Sequence, residues 1–123
     1  MKIFKNILFI LFALVFINAG LDKFLHYMPV PPMSAVLQKV GEAIGTIKWI
    51  IPLAGFIELV SGLLIIFPKT RTLGALMIFP VLIGILVHNA TFMPEGLVIA
   101  GVLFLIEIWI LVDSKEKIMQ LIA

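Results

Sequence analysis

The chain contains no cysteine. That absence removes disulfides, thiolate nucleophiles, iron–sulfur clusters and cysteinyl zinc sites together. Charge is also scarce: charged residues make up 13% of the 123 positions, against about 25% in an average soluble domain. A net charge of +2 with no basic face leaves no electrostatic footprint for nucleic acid. Histidine occurs twice, and no metal site is expected. What fills the chain is apolar: 63% of residues are hydrophobic and the mean hydropathy is +1.24. A small soluble fold hides only roughly 60–70% of the surface that its unfolded chain exposes, too little for this composition. Soluble, disordered and fibrous classes drop out. The expected product is a single integral-membrane domain over residues 1–123.

Crossing the hydrocarbon core takes about 20 mostly apolar residues in a helix. Four stretches qualify, over residues 4–27, 47–67, 73–92 and 96–112. Pro29 and Pro68 close the first two, because proline removes a backbone donor and disfavours helix just before itself. The apolar run after Lys2 and Lys5 has the look of a signal peptide, but Asn18-Ala19-Gly20 is a poor small-x-small cleavage site. It is read as an uncleaved first span. With no water available to the backbone, helix is the only choice at this span number, so the fold class is an all-α membrane protein, a four-transmembrane-helix bundle. Lys2, Lys5, Lys69, Arg71, Lys115 and Lys117 fall on one side and Lys23, Lys39 and Lys48 on the other. That asymmetry predicts a multi-pass protein of the bacterial cytoplasmic (inner) membrane with both termini in the cytoplasm. Between the first two spans, Val36, Leu37, Val40 and Ile44 recur at helical spacing opposite Gln38, Lys39 and Glu42. This predicts a short amphipathic helix over about 33–46, lying in the outer interface or covering the mouth of the bundle.

Ionisable groups inside spans are costly and mark functional candidates. Asn18, Asp22 and His26 recur every four residues on the first span, with Lys23 beside them; Glu58 lies mid-way along the second. His88 and Asn89 sit near the outer end of the third, and Glu107 lies inside the fourth. At about 1.5 Å per residue, Glu58 and Glu107 reach similar depths, roughly 15 Å below the outer surface. Either the two share a proton, or Glu58 points outward to Asp22, Lys23 and His88. Both arrangements give an outward-biased polar pocket built from these eight residues. The plainer reading is that they only hydrogen-bond helices together, at about 0.6–2 kcal/mol each.

The stretch Asn18-Ala19-Gly20-Leu21-Asp22-Lys23-Phe24 and the proline-rich segment after it resemble the DoxX family of small four-span bacterial membrane proteins. So do Ile57-Glu58-Leu59 with Gly62-Leu63-Leu64, Arg71 leading to Gly74-Ala75-Leu76, and the placement of His88-Asn89. The resemblance implies an association with membrane redox complexes or oxidative-stress responses, since the family takes its name from a subunit of a thiosulfate:quinone oxidoreductase. Lacking thiols and any nucleotide or flavin signature, this chain would act through a bound quinone, a haem or a partner protein. The leading expectation is an accessory subunit, not an enzyme on its own, whose pocket holds a quinone-like or lipid molecule. The alternatives are a proton-coupled small-solute carrier working as a homo-oligomer, a haem-binding subunit using His26 and His88, and a ligand-free scaffold.

Overall fold

The computed structural model describes residues 2–29 and 33–122, so Val30, Pro31 and Pro32 of the proline-rich segment lie outside the described residues. Among the described residues, six α-helices follow one another: α1 (Lys2–Leu25), α2 (Ala35–Thr46), α3 (Ile50–Ile66), α4 (Arg71–Phe92), α5 (Leu97–Asp113) and α6 (Lys115–Met119), with a 3₁₀ turn (Pro94–Gly96) before α5. The helices α1 and α4, and α5 together with its preceding turn, are each long and apolar enough to cross a membrane. The 17 residues of α3 extend about 25 Å, at the short end of a spanning helix. Joined with α2, α3 passes the same test as a pair bent by 86°. The chain is thus an all-helical membrane protein with, among the described residues, three helices of spanning length, or four when the bent pair is one span.

Helices occupy the four predicted stretches, with shifted ends. The first stops at Leu25, ahead of Pro29, because His26 takes the left-handed conformation (φ 52°). The second begins at Ile50 instead of 47, because Lys48 is also left-handed (φ 46°) and turns the chain sharply between α2 and α3. The expected amphipathic helix is present as α2, capped by Ser34, whose hydroxyl accepts from the Leu37 amide. None of its residues is buried.

Around the bundle, α1 packs on α3, α3 on α4 and α4 on α5. Close approach is set by small residues, as expected where lipid offers no hydrophobic drive between helices. A Cβ at Gly20 would stand 2.6 Å from the Gly55 carbonyl oxygen, and one at Gly74 2.7 Å from the Ser61 carbonyl oxygen. The buried core joins Phe9, Phe12, Ala13 and Phe16 of α1 to Ile65, Ala75, Ile78, Leu82 and Ile110. Most of these lie in the half of the bundle that carries the termini. There Trp109 stands edge-on to Phe9 (5.5 Å, 84°), and Lys5 meets Asp113 at 2.7 Å, tying α1 to α5. Arg71 completes this end. Its Nε donates to the Ile65 carbonyl at 2.8 Å and Nη2 to the Asn6 side chain at 2.8 Å, while Thr70 Oγ1 donates to Leu64 at 2.6 Å. The last carbonyls of α3, which have no partner within the helix, are satisfied in this way.

Candidate functional site: a cavity beside a buried ion pair

The opposite half of the bundle is open. A cavity of about 580 Å³ lies between α3 and α4, with Lys23 of α1 and Ile44 of α2 at its margins. Its walls are mostly aliphatic, including Ile51, Ile57, Val81 and Ile85. It extends from the loop end of the bundle, where α1 and α4 finish and α3 starts, down to Glu58, eight residues or about 12 Å along α3. Gly84 contributes space: a Cβ there would meet nothing within 4 Å.

Four polar residues line this volume: Lys23, Glu58, His88 and Asn89. Glu58 is 2% exposed, and its Oε1 lies 2.6 Å from Lys23 Nζ. The pairing is built locally. Gly55 sits one turn before Glu58, and a Cβ added there would come within 3.0 Å of the Lys23 Cβ, so the bare backbone lets the lysine stem lie against α3. Lys23 is about a quarter exposed, with its stem along apolar surface and its head towards the pair. On α4, Asn89 donates from Nδ2 to the Ile85 carbonyl at 2.8 Å. His88 stands against Phe92, with ring centroids 5.5 Å apart. An apolar chamber holding one ion pair and one imidazole suits a ligand that is mostly hydrocarbon with a hydrogen-bonding head.

Of the eight residues expected at the site, these four come together. The other four do not line the cavity. Asn18 and Asp22 turn towards the segment that leaves α1. The Tyr27 hydroxyl donates to the Asn18 side chain and to its carbonyl at 3.0 Å, and the Met28 amide donates to Asp22 Oδ1 at 2.8 Å. Their shared face is therefore occupied by the chain folding back on itself. His26 is exposed at the left-handed turn and does not line the cavity that His88 faces. Glu107 is fully buried on α5, and neither of its carboxyl oxygens has a hydrogen-bond partner among the described residues. Glu58 thus takes the second of its two expected arrangements, turned to Lys23 instead of to Glu107. Among the described residues, no group of three or more His, Asp or Glu is placed to hold a metal ion.

Sequence reasoning missed the aliphatic lining, and with it the part of Gly84, which looks like one more packing glycine. Ile44 was visible as part of the apolar face of α2, but nothing in its spacing placed it over a cavity. The capping by Arg71 was equally unmarked, since a basic residue after a span reads as a topology signal.

Helices of spanning length, apolar on their outer faces and enclosing a chamber open at one end, define a multi-pass membrane protein. Residues 6–90 match the DoxX family, and the chain belongs to it. The matched stretch contains every residue lining the cavity and ends before α5. Comparison with curated proteins and with solved structures returns no match.

Proposed function

We propose that the protein is an accessory subunit of a membrane redox or stress-related complex, holding a quinone-like or lipid molecule in the cavity beside Lys23 and Glu58. We place it in the bacterial inner membrane with both termini in the cytoplasm, following the lysine and arginine asymmetry of the loops. The observation that carries the reading is the cavity itself: about 580 Å³ of mainly aliphatic wall with the Lys23–Glu58 pair and His88 on its surface. Small-molecule pockets run to roughly 300–1,000 Å³ and combine apolar walls with a few placed polar groups. A quinone ring with its first isoprenoid units, or the end of a lipid chain with a carbonyl, matches that volume and polarity. Lys23 keeps N–H donors beyond the one facing Glu58, so a ligand carbonyl can accept from it. His88 adds an imidazole at the cavity wall, with one ring nitrogen able to donate and one able to accept a hydrogen bond from a ligand head. The chain's own part would be to bind and orient the head and to hold protons near it. Electrons would come from a partner protein.

The test is organic extraction of protein purified from native membrane, followed by mass spectrometry, for wild type and Glu58→Gln. The reading expects a stoichiometric quinone or lipid in the wild type, depleted in a variant that stays folded. A wild type that carries no enriched small molecule, or a variant that retains it fully, refutes the reading.

A further inference from the structure

At the end of the bundle that carries both termini lies a second concavity, of about 240 Å³, lined by Pro68, Arg71, Asp113, Ser114, Glu116 and Lys117. It shares no residue with the cavity beside Glu58. Arg71 is only 8% exposed, and its Nε and Nη2 are committed to Ile65, Ile66 and Asn6. Its remaining nitrogen, Nη1, takes no part in these bonds. A guanidinium fixed by three acceptors and stacked over the Phe9 ring at 5.3 Å leaves one preorganised donor edge.

Two positive and two negative residues line this concavity, and one of the negative ones, Asp113, is already paired from outside it by Lys5. Arg71, Lys117 and Lys5, which is bonded to Asp113 at 2.7 Å, supply three positive charges. Asp113 and Glu116 supply two negative ones, so a single positive charge is left over. The concavity sits where α4 begins and α5 ends, the level of the headgroups for helices of spanning length. Exposed apolar side chains neighbour its lining residues in the chain: Phe67 (61%) before Pro68 and Val112 (58%) before Asp113. A free anion would have no use for them, whereas acyl chains would lie along them.

We propose that this concavity is a headgroup site for an anionic phospholipid, with the phosphodiester held by Arg71, Lys117 and the Ser114 hydroxyl. One phosphodiester charge balances the surplus, and guanidinium with ammonium donors is the usual means of gripping phosphate. The site is independent of whatever the cavity beside Glu58 holds.

The experiment is native mass spectrometry of the full chain released from micelles. The chain is supplied with phosphatidylglycerol or with phosphatidylcholine of the same acyl chains, each with and without inorganic phosphate. Ser114 and Lys117 are half-buried or exposed, so Ser114→Ala/Lys117→Gln removes two donors without touching the helix cap that Arg71 makes. The expected result is retention of phosphatidylglycerol over phosphatidylcholine, lowered about tenfold in the double variant, the scale of one charge-assisted hydrogen bond, and insensitive to phosphate. Equal retention of the two lipids, a double variant that binds as wild type does, or full displacement by inorganic phosphate at concentrations equal to the lipid would each overturn it.

Discussion

The Lys23–Glu58 pair can be weighed by a double-mutant cycle. At 2.6 Å and an effective dielectric constant of about 20, the attraction between the two charges is about 6 kcal/mol, most of it offset by desolvation. The two single variants should cost different amounts. Lys23→Gln leaves a carboxylate that is 2% exposed with no cation, and stranding a buried charge costs about 3–5 kcal/mol. Glu58→Gln leaves an ammonium whose side chain is 27% exposed. It can swing to the interface on its flexible stem, so the loss should be about 1–2 kcal/mol. Lys23→Gln/Glu58→Gln removes both charges and leaves two amides able to bond each other. It should unfold within about 2 kcal/mol of wild type, giving a coupling of about 2–7 kcal/mol between the sites. Denaturant unfolding in micelles, followed by circular dichroism, measures the four corners of the cycle. Additivity within about 0.5 kcal/mol, the behaviour of independent sites, would refute the claim that each residue compensates the other.

Three further outcomes follow from the packing. Gly84→Ala should be neutral or raise stability by up to about 1 kcal/mol, since a helical glycine gains propensity and the new Cβ meets nothing within 4 Å. Gly84→Phe should stay folded yet lose the bound small molecule; retention by a folded Phe variant would detach the cavity from ligand binding. Gly20→Ala forces a Cβ to 2.6 Å from the Gly55 carbonyl oxygen and should cost upwards of about 2 kcal/mol by thermal unfolding. Gly41→Ala on α2, where nothing lies within 4 Å, should cost nothing, and similar losses at both positions would contradict the close approach of α1 to α3. Lys5→Ala breaks a pair whose side chains are 28% and 37% exposed, so unfolding free energy should change by less than about 1 kcal/mol.

Burial, charge and proline placement wrote the helical plan plainly. An apolar stretch of about 20 residues has one low-energy form in lipid, and Glu58 stands out within such a stretch because a carboxylate there needs a reason. The partner of Glu58 was less plain. Lys23 is one of three groups, with Asp22 and His88, towards which Glu58 could point, and only the bare surface of Gly55, which depends on the register of α1 against α3, singles it out. Helical periodicity puts Asn18 and Asp22 on one face of α1, while His26 falls past its end in the left-handed turn, and periodicity carries no information about what covers that face. The segment around Tyr27 and Met28 covers it, and its path is set by the left-handed turn at His26. A non-glycine residue at positive φ has no reliable mark in a sequence, and Lys48 hides the sharp bend before α3 for the same reason.

The position of the cavity follows from where small residues are matched across helix pairs and where they are not. Along α1 and α3 the matches continue: Gly20 faces the Gly55 carbonyl, and a Cβ at Gly62 would stand 2.8 Å from the Ala13 carbonyl oxygen. These two helices therefore stay in close contact, and the stem of Lys23 is fixed against α3. Between α3 and α4 the match is made near the termini, at Gly74 against Ser61 and Ile65. Towards the loops it lapses. There α4 presents Gly84, a residue with no side chain to fill the space and no neighbour close enough to close it. Two helices held together at one end and unfilled at the other leave a wedge, and the wedge is the cavity. Because the α1–α3 contact is continuous, the ion pair belongs to a wall that cannot part without breaking it. The α3–α4 side, with Ile44 of α2 at its rim, is the side that the packing leaves unfilled.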